Sequence, residues 1–563
     1  MIRRGMSAAP PIPPRLRRSR HLSWFGHMGA VYLFHDLYGY LMEMSPDIAE
    51  MIESFSDGVD TEETIAYYRG KLGDADPRQF VEILAAHAVL VAPDEDELEG
   101  PWAFVPMHGK WNVWQRREDR LTLWTAWGER PVQQIFLDPD ETKIWDALDG
   151  NKRLIELRHH HDNAKLLGLV RRLVHSDVQA LKLSMMPWSV YAKRPQLAPA
   201  YLKSTMPYPS WTPGTPVPGT QGSHVSPTDY YRTDVADADA QFDHQETTLS
   251  HLLRVPHPAL GGRTYGQALV DALLARDAVP AERVRVLEIG AGLGYVAKDV
   301  IARLEAAGRT VEYTIAELAP ALAAAQKARL GDRATWVMGD VLAAELPDGA
   351  FDLILSNEMI GDLPARHLTR ADLGLAPDQG TVDREKLRAI SPVAAELGVV
   401  LDDAPEPFYL MTGAFELVGK IARWLAPGGT AVVTEFGELA GWPRLSTHLD
   451  HPELSTHFGQ LQQAARGAGL AAEVEFVIDL IGLDRAQLGL ATTRSHFRAL
   501  RALFADVGID LPKIGFTPEL LAATVGGKLD LATVGELRWE RIEDRLMGLV
   551  PHEFKALIAQ RAR

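Results

Sequence analysis

The residues best suited to chemistry lie in the back half of the chain. Val284-Arg-Val-Leu-Glu288-Ile-Gly290-Ala-Gly292-Leu-Gly294 is an apolar run that ends in three alternating glycines. The first glycine permits a tight turn, and the others let backbone N–H groups approach a ligand closely. Glu317 follows the run Val311-Glu-Tyr-Thr-Ile-Ala, 27 positions beyond Gly290, where a carboxylate can accept both hydroxyls of a ribose. Asp340 and Val341 follow Thr335-Trp-Val-Met-Gly, where an Asp can face the amino edge of an adenine. Asn357-Glu358 closes Phe351-Asp-Leu-Ile-Leu-Ser, with Asp362 shortly after. Together these residues describe a site for a nucleoside-bearing ligand beside a pair of carboxylates.

Such a set needs elements to position it. A helix with Val296, Val300, Ile301 and Leu304 on one face follows the glycines, and Leu425-Ala-Pro-Gly-Gly429 turns into a further apolar strand, Thr430-Ala-Val-Val-Thr434. Strands alternating with helices predict an α/β domain with a parallel, doubly wound sheet. All the polar residues just named fall at the carboxyl ends of its strands, where such sheets bind ligands.

The front half contains one pattern twice. In the first copy Val31-Tyr-Leu-Phe34, a turn at Tyr38-Gly39 and Tyr40-Leu-Met-Glu-Met44 lead to Ser45-Pro46-Asp47, then Ile48, Ile52 and Phe55 at helical spacing, and an Asp57-Gly58 stop. The second copy reads Gln134-Ile-Phe-Leu137, Asp138-Pro139-Asp140, then Ile144, Trp145, Leu148 and Asp149-Gly150. Each copy predicts a small winged-helix-like α+β module. Eight prolines between Pro195 and Pro227 mark an extended linker behind them. The expected organisation is therefore a basic arm at 1–20, modules at 21–98 and 99–193, a linker at 194–235 and the α/β domain at 236–563.

Composition sets bounds on all of this. The 563 residues hold no cysteine, which excludes disulfides, thiolate metal sites and Cys nucleophiles. A formal charge of −17 argues against a nucleic-acid backbone as partner. No apolar run is long enough for a membrane span, so a cytoplasmic protein is expected. The six arginines of the first twenty residues imitate a mitochondrial transit peptide, but Pro10, Pro11, Pro13 and Pro14 break the helix it would need, so a disordered arm is expected. His159-His-His161 lacks partners at ligand spacing, and no metal is expected. His451, His457, Asp243-His244 and the Trp111, Trp114, Trp124, Trp127 group read as loop, helix or packing residues.

The glycine loop with Glu317, Gly339-Asp340 and Leu425-Ala-Pro-Gly-Gly429 is similar to the class I S-adenosylmethionine-dependent methyltransferases. That resemblance implies a Rossmann-like sheet with helical insertions and S-adenosyl-L-methionine as cofactor. It places Glu288 and Gly290, Gly292 and Gly294 at the methionine end, Glu317 at the ribose, and Asp340 with Val341 at the adenine. More narrowly, Tyr265-Gly-Gln-Ala-Leu, Ile315-Ala-Glu-Leu-Ala-Pro-Ala-Leu with Gln326, Ser356-Asn-Glu-Met-Ile-Gly-Asp-Leu-Pro364, Glu435-Phe-Gly437 and Phe554-Lys-Ala-Leu resemble the MidA family, which includes protein arginine methyltransferases. Members usually carry Asp where Gly361 stands, and Asp-Tyr-Gly where Glu435-Phe-Gly stands. The front modules resemble the PqqD-like domain, whose hairpin edge binds a leader peptide as an added strand.

These resemblances imply methylation of a side-chain nitrogen, Arg or His, in a ribosomally made precursor peptide whose leader is held by residues 21–98. A guanidinium has no free lone pair, so an arginine acceptor wants a carboxylate to orient it; Glu358, with Asp362 and Asn357, is the expected set. The alternatives are methylation of arginine in a folded protein such as a respiratory complex subunit, a non-catalytic cofactor-binding assembly factor, and small-molecule methylation. A homodimer is left open.

Overall fold

The computed structural model describes residues 12–27, 30–37, 41–73, 75–97, 102, 104–126, 130–175, 177–184, 186–193, 210–217, 224–225, 231, 248–376, 380–448, 451–490, 494–542 and 554–563. They form two compact units. Unit 1 comprises residues 1–221, 493–510 and 530–537; unit 2 comprises 222–492, 511–529 and 538–563.

The repeat in unit 1 extends further than its sequence pattern suggested. The first copy runs β1 (Arg15–Arg18), β2 (Leu22–His27), β3 (Ala30–His35), β4 (Leu41–Met44), α1 (Pro46–Glu53), β5 (Val59–Asp60), α2 (Thr61–Tyr68), α3 (Pro77–Ala86) and β6 (Leu90–Val91). The second runs β7 (Val105–His108), β8 (Asn112–Arg117), β9 (Arg120–Thr125), β10 (Gln133–Leu137), α4 (Pro139–Ala147), α5 (Leu154–Leu157), α6 (Asn163–Val174) and β11 (Leu181–Ser184). In each, three consecutive strands form an antiparallel sheet, and the strand before them pairs with the strand after the third helix: β1 with β6, β7 with β11. The helix starts follow from local chemistry. Ser45 caps α1 and Asp138 caps α4 with Glu141 closing a capping box, and Pro46 and Pro139 sit at the first helical position, where no N–H is needed.

Three expectations about this region need correction. The arm at 1–20 is not disordered over its described part: β1 buries Leu16 and Arg17, and the Arg17 guanidinium is paired with Glu97 at 2.7 Å and donates to the carbonyls of Pro93 and Glu95. Those partners make a buried arginine tolerable. The linker at 194–235 is not all linker. Trp211 donates its backbone N–H to Trp24 O at 3.0 Å and meets the Trp24 ring edge-on at 6.0 Å, which places it in the core of unit 1. Finally, unit 1 does not end before the linker. The helix Arg494–Ala505 packs on β8 and β9, and Val534–Gly535 pairs with β8, so the back half of the chain completes the front unit. Trp111 and Trp124 are packing residues, as read from sequence; Trp127, Tyr38-Gly39 and Asp243-His244 lie outside the described residues.

Unit 2 is built on a sheet of β12 (Arg283–Ile289), β13 (Thr310–Glu317), β14 (Thr335–Met338), β15 (Phe351–Asn357), β16 (Leu425–Glu438), β17 (Leu470–Phe476) and β18 (Phe554–Arg561), in the order β14-β13-β12-β15-β16-β18-β17. The first five are parallel, but β18 runs antiparallel between β16 and β17, so the sheet is mixed rather than wholly parallel. The short strand Thr456–His457 extends it beside Gly437–Glu438. Helices cover both faces, with α8 (Tyr265–Ala275) and α9 (Tyr295–Ala306) in one apolar core and the helices Thr412–Trp424 and Phe458–Gly467 in the other. Strand order reverses between β12 and β15, and the crevice there is where this topology binds ligands. Among the described residues no helix is long and apolar enough to cross a membrane.

Candidate functional site

The carboxyl ends of β12, β13, β14 and β15 open onto one cleft, lined by Glu288, the loop from Gly290 to Gly292, Glu317, Asp340 with Val341, and Asn357 with Glu358 and Asp362. Gly294 borders this loop as the residue that starts α9, with φ +78°. The sequence-predicted site residues thus converge on one crevice.

Glu288 is buried and accepts a hydrogen bond from the Tyr313 hydroxyl at 2.8 Å. Burial pushes its carboxyl up to about 7; the Tyr313 bond opposes this and nearby Glu317 adds to it. Gly290 has φ +68°, and a Cβ there would stand 2.7 Å from Met359 Cγ, so only glycine lets the acceptor-side loop pass so close. Past it the first backbone N–H groups of α9 stand at the cleft, a setting that favours negative or dipolar ligand groups.

Glu317 ends β13, also buried. Its two oxygens accept from Ala319 N at 2.9 Å and from Gln326 Nε2 at 2.7 Å. Burial raises its pKa, and these donors hold part of the rise back. Gln326, on α10 (Pro320–Leu330), also donates to Gly292 O at 2.8 Å and accepts from Trp336 Nε1 at 3.0 Å. One buried amide therefore ties the acid to the glycine loop and fixes which way its carboxylate faces. Asp340 accepts from Leu342 N at 2.9 Å and stands at the cleft beside the buried Val341.

The opposite wall is the turn after β15. Asn357 is fully engaged: its Oδ1 accepts from the Tyr265 hydroxyl at 2.7 Å and from Thr434 Oγ1 at 2.9 Å, while its Nδ2 donates to Glu358 Oε2 at 3.0 Å. Its role is to hold Glu358. Glu358 itself has φ +52°, an uncommon conformation for a residue with a side chain, which aims its carboxylate at the chain segment over the cleft. There Oε1 accepts from Leu249 N at 2.8 Å and Oε2 from the Ser250 hydroxyl. Asp362 Oδ2 accepts from the Tyr231 hydroxyl at 2.7 Å.

The two places where this sequence departs from the MidA pattern touch each other. Gly361 N donates to Glu435 Oε2 at 3.2 Å, and a Cβ at 361 would lie 2.5 Å from Leu454 O and 3.4 Å from Glu435 Oε2. The hairpin Leu445–His448 with His451–Leu454 runs so close that no side chain fits at 361. Burial pushes the Glu435 carboxyl well above the usual carboxylate range, with Glu453 and Asp362 adding repulsion and the backbone N–H groups of Phe436 and Gly361 opposing it.

Sequence reasoning missed Tyr231, Thr248, Ser250 and His251, all of which line the cleft. Tyr231 sits in the proline-rich stretch and the others on the short helix α7 (Leu249–Leu252) and the residue before it, with no glycine or strand signal to mark them. His251 meets the Tyr295 ring edge-on at 5.9 Å, and the Arg329 guanidinium covers that ring at 3.9 Å. Elsewhere His159 and His160 lie in an exposed turn, and His457 caps the helix Phe458–Gly467 by accepting from Gln460 N at 3.3 Å. Among the described residues no cluster suits a metal ion.

With this geometry established, comparison with known proteins is informative for the domain. Residues 266–436 match the model of a family described as "Putative S-adenosyl-L-methionine-dependent methyltransferase". Similar solved structures include a Burkholderia thailandensis protein bound to S-adenosyl-homocysteine (18% identity, 57% of this chain and 80% of that one, TM-score 0.32). Another is Haemonchus contortus phosphoethanolamine N-methyltransferase 2 in complex with S-adenosyl-L-methionine (16% identity, 63% of this chain and 62% of that one, TM-score 0.31). A third is the [4+2]-cyclase SpnF (17% identity, 53% and 80%, TM-score 0.27). No curated protein matches the chain in sequence. The matched domain is an S-adenosyl-L-methionine-dependent methyltransferase, and S-adenosyl-L-methionine is its cofactor. The residues present suit that molecule: a buried acid for the ribose, a half-buried Asp for the adenine, and a glycine loop with no room for side chains at its closest point.

Proposed function

We propose that the enzyme methylates a nitrogen of a cationic side chain, arginine or histidine, in a ribosomally made precursor peptide. The observation that carries this is the charge of the cleft. Its described lining holds five carboxyls, Glu288, Glu317, Asp340, Glu358 and Asp362, and no Lys or Arg. A carboxylate acceptor would be repelled there, whereas a cationic one is attracted.

The cofactor supplies a methyl group on a sulfonium, which leaves as a neutral thioether. The chain's own residues do the rest. Glu317, Asp340 and the glycine loop would hold the nucleoside, while the Asn357–Asp362 turn would orient the acceptor nitrogen toward the methyl group. On transfer the acceptor nitrogen would give up one proton to Glu358, which would pass it on to water. Asp362 holds the positive charge of the acceptor before transfer.

The front unit supports the peptide part of the reading. Both copies place a strand at the edge of a sheet, β4 in a three-stranded sheet and β10 in a four-stranded one that Val534–Gly535 completes, a geometry that accepts an extended peptide as a further strand. A leader held on the same chain raises the local concentration of its core peptide. The test is intact-mass analysis of a candidate precursor peptide after reaction with S-adenosyl-L-methionine. Full-length and leaderless peptide are compared, each with the wild-type protein and with Glu358→Gln. Methyl additions that need the leader and vanish in the variant are expected. Methylation of a folded protein with no response to the leader peptide overturns the peptide reading in favour of the arginine methyltransferase alternative.

A further inference from the structure

The Glu358 and Asp362 carboxyls are nominated above for the acceptor, yet each is already joined to Tyr231 or to residues 249–250, which with Thr248 and His251 are the described residues roofing the cleft. Leu249 N and the Ser250 hydroxyl donate to Glu358, and the Tyr231 hydroxyl donates to Asp362. Thr248, which starts α7, makes no side-chain cap of its own, and the first backbone donor of that helix, Leu249 N, is satisfied by a carboxylate 109 residues away in sequence. The φ of +52° at Glu358 is the backbone strain that this arrangement maintains. On its other side the same roof rests on the cofactor half. Tyr231 packs with Leu293, Leu322 and Tyr295 around the glycine loop, and His251 meets Tyr295 edge-on. The roof therefore touches both halves of the site, through two hydroxyls on one side and aromatic packing on the other.

We propose that Tyr231 and Ser250 are positioning residues for the cofactor, whose hydroxyls lock the roof over the glycine loop by way of Asp362 and Glu358. The inference rests on the methyl-transfer reading of the cleft for its ligand. Both residues also line the cleft, so protection of the amides at 248–252 is the readout that separates an effect through the roof from the loss of a direct contact. Other charged groups face the latch: Glu435 and Glu453 lie behind Asp362, and Glu358 has Asn357 against it. The experiment therefore reads binding at a single pH.

S-adenosyl-homocysteine is titrated calorimetrically into wild-type protein, Tyr231→Phe, Ser250→Ala and the double variant at pH 7.5, and its release rate is measured by displacement with excess unlabelled ligand. Hydrogen exchange of the amides at 248–252 is followed with and without ligand. Each single variant is expected to bind roughly tenfold more weakly, the worth of one hydrogen bond to a charged group, with faster release. Ligand-dependent protection of 248–252 is expected in the wild type and lost in the double variant, a readout that a general loss of stability would not reproduce. Wild-type affinity, release and protection in the double variant overturn this inference and leave the cofactor reading intact. Absence of binding by the wild-type protein overturns both.

Discussion

Glu288 carries the sharpest electrostatic consequence of the fold. Its carboxyl is buried against the cleft and is pushed up to about 7 with the Tyr313 hydroxyl on one oxygen. The sulfonium and ammonium of S-adenosyl-L-methionine favour the ionised form, so binding must expel a proton whenever the pH lies below that value. If the bound carboxyl returns to the ordinary range near ~4.3, affinity should rise roughly 25-fold between about pH 5.5 and 7.5, worth about 2 kcal/mol. Calorimetric titration in buffers of different ionisation enthalpy would read both the affinity and the proton count. Close to one proton released per ligand at the acid end and roughly a quarter of one at the alkaline end is the expected pattern. Glu288→Gln keeps the acceptor for Tyr313 but cannot ionise, so its affinity should be lower and should lose the pH dependence that Glu288 causes. A flat wild-type profile, or the same slope in the variant, would refute the reasoning.

Three further outcomes follow from the packing. Gly361→Ala places a Cβ 2.5 Å from Leu454 O, which should cost about 1–3 kcal/mol by overpacking and lower the unfolding temperature of unit 2, measured by calorimetry. Glu435 has a raised carboxyl, so its neutral form stabilises the fold at acid pH and that stability is lost as pH rises past the ordinary carboxylate range. Glu435→Gln should therefore match wild type in denaturant titrations near pH 4 and exceed it near pH 8. Deleting residues 1–193 removes β8 and β9, on which the helix Arg494–Ala505 buries Phe497, Leu500, Leu503 and Phe504. The truncated chain should aggregate on size-exclusion chromatography instead of yielding an isolated methyltransferase; a soluble monomer would contradict the division into units.

That the glycine loop, Glu317 and Asp340 border one cleft was legible because the constraints on it are local. A strand followed by Gly290, Gly292 and Gly294, then acids at the ends of the next strands, is a pattern in which spacing alone brings the residues to one edge of the sheet. The helix starts at Ser45-Pro46 and Asp138-Pro139 were legible for the same reason. What was not legible depends on long-range contact. Nothing local in Tyr231 or Ser250 says that a turn more than a hundred residues later will accept their hydroxyls, and the prolines around Tyr231 argue for linker. The burial of β1 needed Glu97 to neutralise Arg17, and the return of residues 493–510 to unit 1 leaves no mark in composition. The antiparallel direction of β18 is likewise set by how it enters the sheet, which its own apolar pattern does not record.

The most direct test of the account is binding of S-adenosyl-homocysteine to the wild-type protein and to Glu317→Ala, measured by isothermal titration calorimetry at pH 7.5. A saturable one-to-one isotherm is predicted for the wild type. With Glu317 assigned to the ribose, its removal should weaken binding in the variant by roughly 30-fold or more. No heat of binding in the wild type, or equal affinity in both proteins, would contradict the placement of the cofactor at the ends of β12 and β13.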